Sequence, residues 1–149
     1  MSKIYLDADV CPQIIKTIVY RAATRTKIEL ILVANSPFNF PKAPNIKFVL
    51  VGKGFDVADN YIVQQVNAGD LVITADIPLA AGVIENGAYA LNPRGEFYDA
   101  ENIKHKLAVR NLMTDLRNIG EISGGPNPFG QREQQDFANA LDRFLTKHR

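Results

Sequence analysis

The chain has 149 residues, of which 46% are apolar, 22% charged and 9% aromatic, the profile of one soluble globular domain with material for a real core. Seventeen Lys and Arg against sixteen Asp and Glu leave a formal net charge of +1, which excludes a strongly basic nucleic-acid coat and an acidic disordered tail. The single cysteine, Cys11, excludes an internal disulfide framework and a cysteine-rich zinc site.

Along the chain, short β-branched runs alternate with helical patterns, the signal for βαβ units on a parallel sheet. Strands are expected at Ile4 to Leu6, Ile28 to Val33, Ile46 to Val51, Leu71 to Thr74 and, more weakly, Tyr89 to Leu91. Their near-continuous apolar character suits strands covered on both faces. Pro12 is placed to open a helix, and Ile14, Ile15, Ile18, Val19 and Ala22 follow at helical spacing. Ala58, Tyr61, Ile62 and Val66 form the next stripe, closed by Gly69, and Pro78 opens a short third helix ending near Gly87. Residues Glu101 to Ile119 read as a longer helix, Ser123 to Gly130 as a turn-rich loop, and Arg132 to Leu145 as a last helix packing through Phe137, Leu141, Phe144 and Leu145.

These elements predict an α/β fold, one three-layer domain over residues 1–149 with a mostly parallel five-stranded sheet in the order 3-2-1-4-5. The short fifth strand would leave an edge open to pairing. The apolar runs are strand-sized, so no membrane span is expected. Acids at positions 7 and 9 interrupt the opening segment, so no signal peptide is expected there and the domain is assigned to the cytoplasm, without a disulfide-linked partner.

In an open α/β sheet, ligands bind beyond the carboxyl ends of the strands, and the acids fall there. Asp7 and Asp9 follow the first strand, Asp76 follows the fourth, and Asp56 and Asp59 open the helix after the third. The simplest role for Asp9, Asp56, Asp59 and Asp76 is helix capping, worth about 1 kcal/mol each. Asp7 is different. It continues an apolar strand, stands too early to cap the helix at Pro12, and as a buried carboxylate needs a partner or a cation. Crowded acids without a compensating base call for a divalent ion, and oxygen-only ligands suit Mg²⁺ or Mn²⁺ better than zinc.

The segments Ile4-Tyr-Leu-Asp-Ala-Asp-Val-Cys-Pro12, Gly54-Phe-Asp-Val-Ala-Asp-Asn60, Gly69-Asp-Leu-Val-Ile-Thr-Ala-Asp-Ile-Pro-Leu-Ala80 and Leu91-Asn-Pro-Arg-Gly95, with Val33-Ala-Asn35, Glu101-Asn-Ile103, Gly124-Gly-Pro126 and Pro128-Phe129, closely resemble the YaiI/YqxD family of uncharacterised bacterial proteins. That resemblance covers nearly the whole chain and implies a PIN-like fold. In PIN-like nucleases acids follow the first and fourth strands, with another on an intervening helix. Asp7, Asp9, Asp59 and Asp76 match that layout, and Asp56 is a further candidate.

The resulting expectation is a Mg²⁺- or Mn²⁺-dependent phosphodiesterase acting on RNA, with Asp7, Asp9 and Asp76 catalytic and Asp59 and Asp56 as added metal ligands. Lys53 and Arg94, in loops bordering the edge, are candidates for substrate phosphates. Phe129 offers either a ring for an unpaired base or an anchor for its loop. The competing expectations are a non-catalytic metal- or partner-binding module of the same fold, and an aspartate-nucleophile phosphatase read from Asp7-Ala-Asp9. That phosphatase motif wants Thr or Val where this chain has Cys11, and a longer core. Cys11 itself reads as a small half-buried thiol, His105 and His148 as solvated, and Gly52-Lys53-Gly54 as a turn. The basic pairs Arg21 with Arg25 and Arg110 with Arg117 read as solvated helix faces.

Overall fold

A computed structural model of the chain describes residues 2–54, 57–105, 108 and 130–148. A single six-stranded sheet organises it, with strand order β3-β2-β1-β4-β5-β6. The strands are β1 (Lys3–Asp7), β2 (Glu29–Ala34), β3 (Ile46–Leu50), β4 (Leu71–Ile73), β5 (Tyr89–Leu91) and β6 (Phe97–Tyr98). The first five are parallel, in the order expected from the sequence. The sixth was not expected: Phe97–Tyr98 returns antiparallel on β5 after the turn through Pro93 to Glu96. It occupies the flank that the five-strand reading left open.

Among the described residues the main helices are α1 (Gln13–Thr26), α2 (Val57–Gln65), α3 (Ile77–Glu85) and α4 (Gln131–His148), with residues 102–105 also helical and a 3-10 turn at Ala8–Val10 between β1 and α1. Alternation along the strands divides the core into two. Ile4, Leu6, Leu30, Leu32, Leu71, Ile73 and Leu91 face α1 and α4, meeting Ile15, Val19, Phe137, Leu141 and Phe144. Tyr5, Ile31, Val33, Val72 and Ala90 face α2 and α3, meeting Ile62, Leu79, Ala80 and Val83. Each fully buried Leu, Ile or Val contributes roughly 1.5–3 kcal/mol, so both faces are needed to hold a sheet this short. Three layers result, as the patterning predicts.

Pro12 is the N-cap residue of α1 rather than its first helical residue. The helix stops where Lys27 turns into the left-handed region at φ 64° and donates its N–H to the Ala23 carbonyl at 2.8 Å. Ile14 falls off the expected stripe: it is 41% exposed, because the buried face runs through Ile15, Val19, Ala22 and Ala23.

The β2-to-β3 connection departs from the expected run of βαβ crossovers. Residues 35–45 contain no helix, although parallel neighbours usually need one. Phe38 and Phe40 from this loop pack with Phe48 of β3 in edge and stacked contacts at 5.3–5.9 Å between centroids. Asn45 ends the loop by donating its side-chain amide to the carbonyls of Ala23 and Ile28, at 3.0 and 2.8 Å. Aromatic area and one bridging amide do the work of a crossover helix.

Gly95, at φ 93°, fits beneath α4. A Cβ there would lie 2.6 Å from the Asp136 carbonyl carbon and 2.8 Å from the Phe137 nitrogen. Only a glycine lets the β5–β6 turn approach the helix backbone this closely.

Candidate acidic edge

Because β1 pairs with β4, their carboxyl ends lie side by side. Asp7 ends β1, on the α2 and α3 side set by its alternation with Tyr5, and is only 4% exposed. Its Oδ2 accepts a hydrogen bond from the Thr74 hydroxyl at 2.9 Å, and the Thr74 oxygen in turn accepts the Asp76 N–H at 3.0 Å. Thr74 thus bridges the two acids, setting Asp7 and the Asp76 backbone two hydrogen-bond lengths apart. Burial pushes the Asp7 carboxyl up to about 6; the Thr74 hydrogen bond opposes this, and the charges of Asp76 and then Asp9 add to it.

Each neighbouring acid has one oxygen committed. Asp76 is the N-cap of α3, its Oδ1 accepting from the Leu79 N–H at 3.0 Å, as the capping reading requires. Asp9 does not cap α1. It lies in the 3-10 turn, is exposed, and accepts the Asn35 N–H at 2.8 Å, tying β1's exit to β2's. Among the described residues, the second oxygen of Asp7, Asp9 and Asp76 accepts no hydrogen bond, and none of the three is in an ion pair.

Asp59 lies in the first turn of α2, on the side of the sheet that Asp7 faces, but is not among the charges acting on Asp7. Asp56 and Phe129 lie outside the described residues, as do most of the expected helix from Glu101 to Ile119, with Arg110 and Arg117, and the loop from Ser123 to Phe129. Lys53 is exposed in the turn after β3. Arg94 lies in the turn after β5, and its Nη1 meets Glu133 Oε1 at 3.4 Å. The two cations flank the acids on opposite sides, four strand intervals or roughly 19 Å apart.

Among the described residues, no group of three or more His, Cys, Asp or Glu side chains is arranged to hold a metal ion. Asp7, Asp9 and Asp76 form an open edge rather than a closed cage.

Sequence reasoning missed Thr74, whose role shows only once β1 and β4 are paired. It also missed Asp70, which is 2% exposed and accepts the N–H groups of Lys3 and Asn67 at 3.0 and 2.9 Å. Asp70 precedes β4, so it belongs to the opposite end of the sheet and is a structural acid. Cys11 is buried, and burial pushes its thiol up to about 12 despite the nearby Lys16, so no reactive thiolate is present. His105 is exposed, as expected. No helix among the described residues is long and apolar enough to cross a membrane.

No solved structure matches the chain. Curated relatives do, along nearly their whole length. A "UPF0178 protein" of Hahella chejuensis is 57% identical over 145 residues, covering 97% of each chain. One from Dechloromonas aromatica has the same identity and coverage, and one from Syntrophotalea carbinolica is 54% identical over 146 residues, 98% of this chain and 99% of the relative. The model of the "Uncharacterized BCR, YaiI/YqxD family" matches residues 5–147. The chain belongs to the YaiI/YqxD family.

Proposed function

We propose that the chain is a metal-dependent phosphodiesterase acting on RNA, with Asp7, Asp9 and Asp76 as its reactive edge and Asp59 as an added donor. The observation that carries this reading is Asp7, a carboxylate 4% exposed at the carboxyl end of a central strand, beside two further acids and, among the described residues, with no cation paired to it. A buried acid of this kind costs stability, and such costs concentrate where chemistry uses them.

The donor chemistry fits Mg²⁺ or Mn²⁺, since all the ligands would be hard carboxylate oxygens. A bound divalent ion supplies Lewis acidity at phosphate and lowers the pKa of water. The chain's own residues fix the donors: Thr74 holds one oxygen of Asp7, the Asn35 N–H one of Asp9 and the Leu79 N–H one of Asp76, leaving the other of each to a ligand. Lys53 and Arg94, flanking the edge, supply positive charge for a phosphate backbone approaching an otherwise repulsive acidic centre. The layout of acids after the first and fourth strands, shared with PIN-like nucleases, supports the choice of phosphodiester chemistry.

A second reading keeps the edge as a non-catalytic metal- or partner-binding site. It is favoured by the lack, among the described residues, of three side chains already converging on one point. Melting curves with and without Mn²⁺, followed by turnover of single-stranded RNA, separate the two. The enzyme reading expects Mn²⁺ to raise the melting temperature, RNA to be cleaved, and both effects to be lost in Asp7→Asn. Stabilisation without turnover supports the second reading. Neither effect leaves the acids as caps and turn formers, and the proposal fails.

A further inference from the structure

A hollow of about 420 Å³ lies at the other end of the sheet, between β5, β6 and the last two turns of α4. Its wall is aromatic. Tyr89, the first residue of β5, is 41% exposed and meets Phe144 edge-on at 5.4 Å between centroids, while Phe97 lies 6.4 Å from Phe144. Phe144 is 4% exposed and forms the floor. Arg143 and Lys147, one helical turn apart on α4, line the rim, and among the described residues neither is in an ion pair. Asp99 also lines it; its Oδ1 accepts the Glu101 and Asn102 N–H groups at 2.9 and 2.6 Å, and among the described residues its Oδ2 accepts no hydrogen bond.

We propose that this hollow is a nucleotide site, taking a planar base against Tyr89 and Phe97, a phosphate at Arg143 and Lys147, and a sugar hydroxyl or base amino group at Asp99. The volume falls within the roughly 300–1,000 Å³ of small-molecule sites, which pair an apolar lining with a few placed polar groups. Each part of a nucleotide meets its chemical complement here. Every base offers a π-face to an aromatic wall. Two cations at i and i+4 suit a phosphate, and a carboxylate beside them selects ligands carrying donors over simple anions. The site shares no residue with the acidic edge, so it stands whether or not that edge is catalytic.

The test is calorimetric titration of the full chain with adenosine monophosphate, with adenosine and inorganic phosphate as comparisons. The monophosphate should bind, and each comparison should bind at least roughly tenfold more weakly, since each lacks one of the two anchors. Arg143→Gln with Lys147→Gln, two exposed substitutions, should weaken the monophosphate by roughly tenfold or more. Tyr89→Ala should also weaken it, and Asp7→Asn should leave it unchanged. A dinucleotide with a 5′ phosphate binding more tightly assigns the same site to a strand end, and weaker binding assigns it to a free nucleotide. No heat with the monophosphate at roughly millimolar concentration, inorganic phosphate binding equally well, or unchanged affinity in the double variant overturns the proposal.

Discussion

Asp7→Asn is expected to stabilise the metal-free protein at neutral pH. The folded-state pKa is about 6, against 3.8 for an unperturbed carboxyl, with burial the leading cause. The folded state therefore holds the Asp7 proton more tightly than the unfolded state does. Below pH 4 both states are protonated and there is no penalty. Between about 4 and 6 the unfolded chain ionises first, so stability falls as pH rises, and above 6 the penalty is constant. A difference of about two pH units corresponds to ~3 kcal/mol. Asn preserves the oxygen that accepts the Thr74 hydroxyl and removes the charge. Its amide replaces an oxygen with a donor that needs a partner of its own, so a net gain of ~1–3 kcal/mol is expected, which is roughly 3–10 °C in melting temperature for a chain of this size. Melts by circular dichroism in chelator at pH 4, 5, 6 and 7.5 read this directly. The variant's advantage should be largest at pH 7.5 and fall by ~3 kcal/mol toward pH 4, where it vanishes or reverses by whatever the new amide costs. A variant less stable than the parent by a constant amount at every pH would show Asp7 to be a structural hydrogen-bonding group, and the electrostatic argument would be wrong.

Gly95→Ala should lower the melting temperature sharply, costing about 1–3 kcal/mol or more, because the new methyl meets α4 backbone from a left-handed turn. Asn45→Ala takes the side-chain donor from the Ile28 carbonyl and leaves the Ala23 carbonyl with the Lys27 N–H alone, and should cost about 1–3 kcal/mol in urea unfolding. Native Cys11 should resist a thiol reagent at pH 8 and react quickly in denaturant, since its thiol is buried and pushed up to about 12; rapid labelling of the folded chain would contradict its burial.

Five strands and their order were legible because each strand carries a continuous apolar run, and right-handed crossovers leave few ways to arrange five of them. The burial of Asp7 was legible too, because it continues an apolar strand and stands too early to cap the helix after Pro12. What the sequence hid lies below the length over which periodicity speaks. Phe97–Tyr98 is two residues long, and the turn before it is closed by backbone hydrogen bonds and by the Asn92 side chain, which accepts the N–H groups of Arg94 and Glu96 at 2.8 and 3.2 Å. The loop over residues 35–45 has no helical period to reveal that its phenylalanines cover the sheet. Asp9 read as a cap because it stands shortly before a helix. Its actual partner, the Asn35 N–H, is 26 residues away and was set by the β1–β2 register. Thr74 and Asp70 were invisible for the same reason: one bonds across strand ends to Asp7, the other to the Lys3 N–H, 67 residues away in each case.

The helix-free connection between β2 and β3 also gives the sheet an uneven grain. Each of the other connections between the parallel strands, β1 to β2, β3 to β4 and β4 to β5, carries a helix. β3, at the flank, is held on one side by β2, and its Phe48 packs against two phenylalanines of its own entering loop, which an asparagine ties to α1. The segment over residues 35–50, ending in an edge strand, is expected to exchange its backbone amides sooner than β1, β2 or β4, which are paired on both sides. Asn35, the residue at its root, is also the one that holds Asp9 in place. Opening of this segment would reach the acidic edge through the Asn35–Asp9 hydrogen bond, though the aromatic cluster itself lies on the other side of the sheet from Asp7.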